Sequence, residues 1–246
     1  MNDPATTKDG SRAEFPTTRW TTVLAAGDPA AETYRASLEE LARLYWRPIY
    51  AYFRRKWSKP HDEARDLSQD FFAALCEKDF LSRLSPERGR FRSYVMAALD
   101  NFARLEHRAR TALKRGGGAA IASLDKVEEF HPAADRSPEE TFLREWGRSV
   151  LDQAIGALEK ECRGAGQEHA YRIFAARDLD APPEGRPSYE ELARRHGVSV
   201  TDVTNLLFRT RKRLRELVLM RVRDTVTDEK EAEAEVRELF GNRLRE

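Results

Sequence analysis

The chain has 246 residues, 40% hydrophobic and 35% charged, and its 43 basic and 42 acidic side chains leave a net charge of +1. It is long enough for one large or two modest domains with a buried core, and it holds no run approaching the ~20 apolar residues that a bilayer span takes. The near-zero net charge hides a segregation: cations gather at Arg88–Arg92, Arg104–Arg115 and Arg209–Arg215, anions at Glu39–Glu40, Asp62–Asp70, Glu128–Glu129 and Asp228–Glu238. Such a pattern suits a protein that meets a polyanion with some faces and another protein with others, although ordinary helix-surface patterning gives similar totals.

Cys76 and Cys162 belong to no Cys-x-x-Cys or Cys/His pattern, and the five histidines are scattered. No His-Glu-x-x-His, nucleophile elbow or evident carboxylate pair is present, so no catalytic residue, metal or cofactor is expected and the chain reads as a non-enzyme. The N-terminus has no apolar signal region, and unpaired cysteines suit a reducing compartment, which makes a soluble cytoplasmic protein the expectation.

In chain order, residues 1–14 are polar and expected to be disordered. Phe15-Pro16-Thr17-Thr18-Arg19-Trp20 opens order, and Trp20, Val23 and Leu24 are spaced for a short helix that Gly27-Asp28-Pro29 breaks. From about Thr33 to Trp57 the apolar side of a long helix is Leu38, Leu41, Leu44, Tyr45, Ile49, Tyr52 and Phe53, with a kink or break expected at Pro48. His61 to Glu77 predicts the next helix, with Leu67, Phe71, Phe72 and Leu75 inward and Asp66, Gln69 and Asp70 outward. Cys76, in an apolar helical face, is expected to be buried. After a short helix or turn over Asp79 to Leu84, a helix from about Arg92 to Arg110 places Val95, Ala98, Leu99, Phe102 and Leu105 inside and Arg92, Asn101, Arg104, His107 and Arg108 outside.

Periodicity then stops. Lys114-Arg115-Gly116-Gly117-Gly118 through Asp135-Arg136-Ser137-Pro138 reads as a linker between two helical domains, and no Gly-Lys-Ser/Thr follows the glycines as a phosphate loop requires. Ser137 caps the next helix, with Pro138 at its first position and Glu140 completing a capping box. Phe142, Trp146, Val150, Leu151, Ile155 and Leu158 form its apolar side, and a further helix lies near Glu168 to Arg177.

The stretch from Ser188 to Leu217 reads as a helical hairpin. Ser188 and Glu191 cap the first helix, which Gly197 ends; Ser199 and Asp202 start the second. Val203, Leu207, Leu214 and Leu217 share one face, whereas Thr201, Asn205, Phe208, Arg209 and Lys212 fall mainly on the other. Arg209, Arg211, Lys212, Arg213 and Arg215 put five cations in seven residues. A helix–Gly-turn–helix with a cationic second helix is what a DNA major groove accepts; the plainer alternative is a packed helical pair with a solvated charged face. Asp228 and Glu231 can cap a final helix with Val236, Leu239, Phe240 and Leu244 on its apolar side. That helix either folds back on the second domain or receives a regulator. Strand alternation is nowhere convincing, so the fold class expected is all-α.

These residues resemble bacterial sigma-70-type RNA polymerase sigma factors of the compact extracytoplasmic-function class, over about Phe15 to Met220, and in particular the members that begin with a Phe-Pro-Thr-Thr-Arg-Trp-like segment. Asp66-Leu67-Ser68-Gln69-Asp70-Phe71-Phe72 is similar to the family's Asp-Leu-x-Gln-Glu-x-Phe segment. The run from Phe91 to Asn101 resembles the segment leading into promoter melting, and Tyr189 to Ala193 with Arg209 to Leu214 resembles the upstream-promoter reader. The resemblance implies a sigma region 2-like domain over residues 15–112, a flexible linker over 113–137, a region 4-like helix-turn-helix domain over 138–222 and a helical tail over 223–246.

As the resemblance implies, Asp66, Gln69, Asp70 and Phe72 would dock on the clamp coiled coil of the polymerase largest subunit. Arg92, Asn101, Arg104, His107, Arg108, Lys114 and Arg115 would hold the opened downstream element, with Asn101 equally readable as a helix-surface amide. Ser199, Thr201, Thr204, Asn205, Phe208, Arg209, Arg211, Lys212 and Arg213 would contact the upstream element. Relatives commonly carry basic or imidazole side chains where this chain has Thr204, Leu206 and Phe208, so promoter choice does not carry over. Expected partners are core RNA polymerase (clamp coiled coil and flap), promoter DNA and an anti-sigma factor or other regulator, with no membrane. The competing reading is a stand-alone helix-turn-helix regulator, against which stands the lack of a dimerisation heptad.

Overall fold

The computed structural model describes residues 20–77, 80–85, 89–116, 137–180, 182–226 and 228–241, without the side chains of 77, 107–116 and 183. Among them the chain is all-α: α1 (Thr21–Ala26), α2 (Tyr34–Lys56), α3 (His61–Glu77), α4 (Phe91–Gly116), α5 (Pro138–Gly164), α6 (Glu168–Phe174), α7 (Tyr189–His196), α8 (Val200–Arg223) and α9 (Glu229–Phe240), with a π-helical turn over Ala175–Leu179. No described helix is long and apolar enough to cross a membrane. The N-terminal segment 1–19, most of the expected linker and Leu244 lie outside the described residues.

Local chemistry sets the helix starts. The Ser137 hydroxyl accepts from the Glu140 amide at 3.0 Å while the Glu140 carboxylate accepts from the Ser137 amide at 2.9 Å, the reciprocal box that satisfies two otherwise orphaned donors. Ser199 and Asp202 repeat it at α8, and Asp228 accepts from the Glu231 amide at α9. Of the kink or break expected at Pro48 there is no break: α2 runs unbroken through this buried proline. Helix α4 continues to Gly116, four residues into the segment 113–137 read as linker, because no helix-breaking residue precedes that glycine.

The two helical halves pack on each other. Helix α2 lies along α5, and α5 in turn carries α8, so the buried side chains form one continuous core. An aromatic cluster crosses the junction: Tyr45 meets Phe91 edge-on at 5.2 Å and lies 6.3 Å from Phe142 and 6.4 Å from Trp146. Such ring pairs add to the burial of their large apolar areas. Around this core, Arg47 pairs with Glu145 at 2.9 Å and Arg221 with Glu40 at 2.6 Å. Lys56 joins three helices, bonding Tyr52, Asp100 and Glu139. Its ammonium is held charged to unusually high pH, chiefly by the hydrogen bond to Tyr52.

Three placements differ from expectation. Arg92, expected on the outer side of α4, is 6% exposed, because Trp146 and α9 cover that end of the helix. Leu105, expected inside, is 59% exposed, whereas Phe102, three residues earlier, meets Phe53 of α2 and Phe71 of α3. Cys76 is exposed, since Leu75 takes the inward position and the next residue is turned about 100° away around the helix.

Candidate nucleic-acid interface

The helical hairpin forms as its caps and spacing require. Helix α7 ends at Gly197, whose φ of 66° and ψ of 32° lie in the left-handed region that costs a side-chain-bearing residue about 1 kcal/mol. The reversal lets Val203, Leu207, Leu214 and Leu217 of α8 enter the core, joined by Val218 and Val222. Leu206 is half-buried against that core, a packing residue.

The opposite face is open. Ser199, Thr201, Thr204, Asn205, Phe208, Arg209 and Lys212 are all exposed, and Phe208 presents its ring to solvent at 62% exposure. At the N-terminal end the helix presents amide donors to an anion, although the first-turn carboxylate Asp202 is occupied in the cap. Hydroxyls, an amide, an aromatic ring and two cations along one face supply both phosphate contacts and base-edge contacts.

Two of the expected contact cations are turned to internal work. The Arg211 guanidinium forks onto Asp178 in the π-helical turn, with bonds of 2.8 and 2.9 Å. Arg213 forks onto Glu161 of α5 at 2.7 and 2.8 Å and also reaches Glu216 at 2.9 Å. Glu161 is held ionised below the usual carboxylate range, first by the Arg213 hydrogen bond. Bidentate arginine–carboxylate pairs are directional as well as strong, so these two cations fix α8 on the π-helical turn and on α5. Spacing along α8 alone did not distinguish them from Arg209 and Lys212, because their partners lie 33 and 52 residues away. Alongside, the Arg177 guanidinium stacks 4.5 Å from the Tyr189 ring and donates to the Pro187 carbonyl, joining the π-helical turn to the start of α7.

In the first half, Asp66, Gln69 and Asp70 are exposed on one side of α3. Phe72 is half-buried and stacks on Trp46 of α2 at 5.9 Å, beside an apolar cavity of about 440 Å³ between α2 and α3. On α4, Asn101 and Arg104 are exposed, while the side chains of His107, Arg108, Lys114 and Arg115 lie outside the described residues.

Arg92 is elsewhere. Its Nε lies 2.9 Å from Glu235 and its Nη2 donates to Glu238 at 3.1 Å, both on α9. Arg90 reaches the same Glu235 at 2.7 Å. The basic and acidic clusters noted in the sequence, Arg88–Arg92 and Asp228–Glu238, thus meet within the chain. Their opposite signs were the only sequence signal of that meeting.

No family model, curated protein or solved structure matches this chain. No group of histidine, cysteine and carboxylate side chains among the described residues is arranged to hold a metal ion.

Proposed function

We propose that this chain is a sigma factor, which binds core RNA polymerase and directs promoter recognition, promoter melting and transcription initiation in the cytoplasm. The observation that carries the reading is the exposed α8 face. A doubly capped helical hairpin presents Ser199, Thr201, Thr204, Asn205, Phe208, Arg209 and Lys212 together, while its other face is sealed in the core. The hairpin is one of several motifs that resemble sigma-factor segments in the same order along the chain.

Each part has a role in this reading. Arg209 and Lys212 anchor phosphates, and the first two turns of α8 face base edges. The carboxylates Asp66 and Asp70, with Gln69, meet basic side chains of the polymerase clamp; charge pairs of this kind give orientation and on-rate more than affinity. Asn101 and Arg104 stand ready for an opened strand, where backbone charge and polar edges are both needed. The protein itself performs no bond chemistry.

Reconstitution tests it. Purified full-length protein should co-elute with bacterial core RNA polymerase and yield promoter-specific transcripts from supercoiled template. A chain that shifted short duplex DNA alone and ignored polymerase would instead be a stand-alone regulator.

A further inference from the structure

The C-terminal helix makes an unusual contact for a tail. Glu235 of α9 is 1% exposed and sits between Arg90 and Arg92 at the start of α4, while Glu238 reaches both arginines from the rim. The guanidinium of Arg92 also lies 5.8 Å from the Trp146 ring of α5, so one arginine links the first half, the second half and the tail. A backbone bond strengthens the link: the Phe91 amide donates to the Thr225 carbonyl at 3.1 Å, in the turn just before α9.

The pairing is poor as a device for stability. Both Glu235 oxygens lie at ion-pair distance yet make no hydrogen bond of good angle, and Arg92 Nη1 has no acceptor. Removing such charges from water costs several kcal/mol per ion, which a contact of this quality repays only in part. Burial accordingly pushes the Glu235 carboxyl above its usual range, against the pull of Arg92 and Arg90. The apolar part of the docking is also small. Ala232 is buried, but Val236, Leu239 and Phe240 are only half-buried, and Leu239 reaches α5 where Gly147 leaves room for it. By contrast, α2 and α5 are joined through fully buried aromatic rings. The seat of α9 is therefore a weaker joint than the aromatic junction between α2 and α5.

We propose that α9 is an acidic clasp over a nucleic-acid site: its Glu235 and Glu238 occupy Arg90 and Arg92 where a single-stranded phosphate backbone would lie, and strand binding requires α9 to leave. The carboxylates stand in for phosphates on the same two guanidiniums. Arg90 joins the site although it was not among the contact residues expected from the sequence. When α9 departs, Arg90 and Arg92 lose their charge partners and the start of α4 gains two unpaired cations. The clasp rests on the nucleic-acid part of the sigma-factor reading but not on polymerase binding.

The test uses the full chain, hydrogen exchange at the amides of α9, and a fluorescent single-stranded 12-mer DNA. In the Glu235→Gln/Glu238→Gln variant, α9 amides should exchange ~10-fold faster than in wild type while those of α5 and α8 keep their rates. Affinity for the 12-mer should rise at least about fivefold, and adding Arg90→Ala and Arg92→Ala should remove that gain. By linkage, saturating 12-mer should itself speed exchange in wild-type α9. Leu239→Ala, which loosens the seat without changing charge, should reproduce the effect and covers a failure of the first variant to fold. Exchange of α9 in step with α5 and α8, or a released α9 with unchanged strand affinity, overturns the clasp. Loss of core-polymerase binding in the reconstitution would strike the sigma-factor reading alone.

Discussion

Arg211 and Asp178 are joined by two parallel hydrogen bonds, 2.8 and 2.9 Å long, that lock α8 to the π-helical turn after α6. The pair is largely sheltered, and the guanidinium is held charged first by its bond to Asp178. Its neighbours on α8, Arg209 and Lys212, stand in solvent. Three cations of one helix thus divide between holding the helix and offering charge to a partner.

That division is measurable. Asp178→Ala should lower stability by about 1–3 kcal/mol, since it strands a half-buried guanidinium, and chemical denaturation would read the loss. Arg209→Ala and Lys212→Ala should leave the denaturation midpoint within experimental scatter. Each should instead reduce the slope of log affinity against log salt for duplex DNA by about 1.

Phe208 separates base contact from charge. With its ring exposed on the open face of α8, Phe208→Ala should weaken binding to a preferred duplex by about 1–3 kcal/mol without changing the salt slope. Equal weakening on all duplex sequences would remove Phe208 from base contact.

The α3 face has a separate readout. Asp66→Arg with Asp70→Arg should abolish co-elution with core RNA polymerase while circular dichroism stays at its wild-type value, because both side chains are exposed and away from the core. Retained co-elution would move the docking surface elsewhere.

The pH dependence follows from Asp224, at the end of α8. Burial, and then the neighbouring Glu40, raise its carboxyl from 3.8 to about 6, with Arg221 opposing. The folded chain therefore takes up this proton at higher pH than the unfolded chain. The associated stability is fully present below the unfolded value and is lost as pH rises through about 6. Glu235, raised by burial beside Arg92, Arg90, Glu238 and Glu231, acts in the same sense. Glu139 and Glu161 are shifted down, so their contributions disappear only as pH falls below the usual carboxylate range. Thermal unfolding should show greater stability near pH 5 than at pH 7. Asp224→Asn should remove most of the difference and stabilise the chain at pH 7 by about 1 kcal/mol, allowing for its partial exposure.

Helix starts were legible in the sequence because a cap is made by residues three apart: Ser137 with Glu140, Ser199 with Asp202, Asp228 with Glu231. The apolar stripe of α8 was legible for the same reason, since a helix repeats locally. Errors came where a neighbour remote in sequence decides the outcome. Arg92 obeys the outward period of α4 yet is covered by Trp146 and by α9, and Leu105 obeys the inward period yet is exposed.

By itself, then, the sequence determined the all-α class, the helical hairpin and its open face, because each depends on interactions spanning one or two helical turns. Tertiary structure alone decided which cations remain available. Arg92, Arg211 and Arg213 satisfy the same local pattern as Arg104, Arg209 and Lys212, but carboxylates on other helices reach the first three and leave the others in solvent. Charge is written residue by residue; its partner is chosen only when distant helices pack.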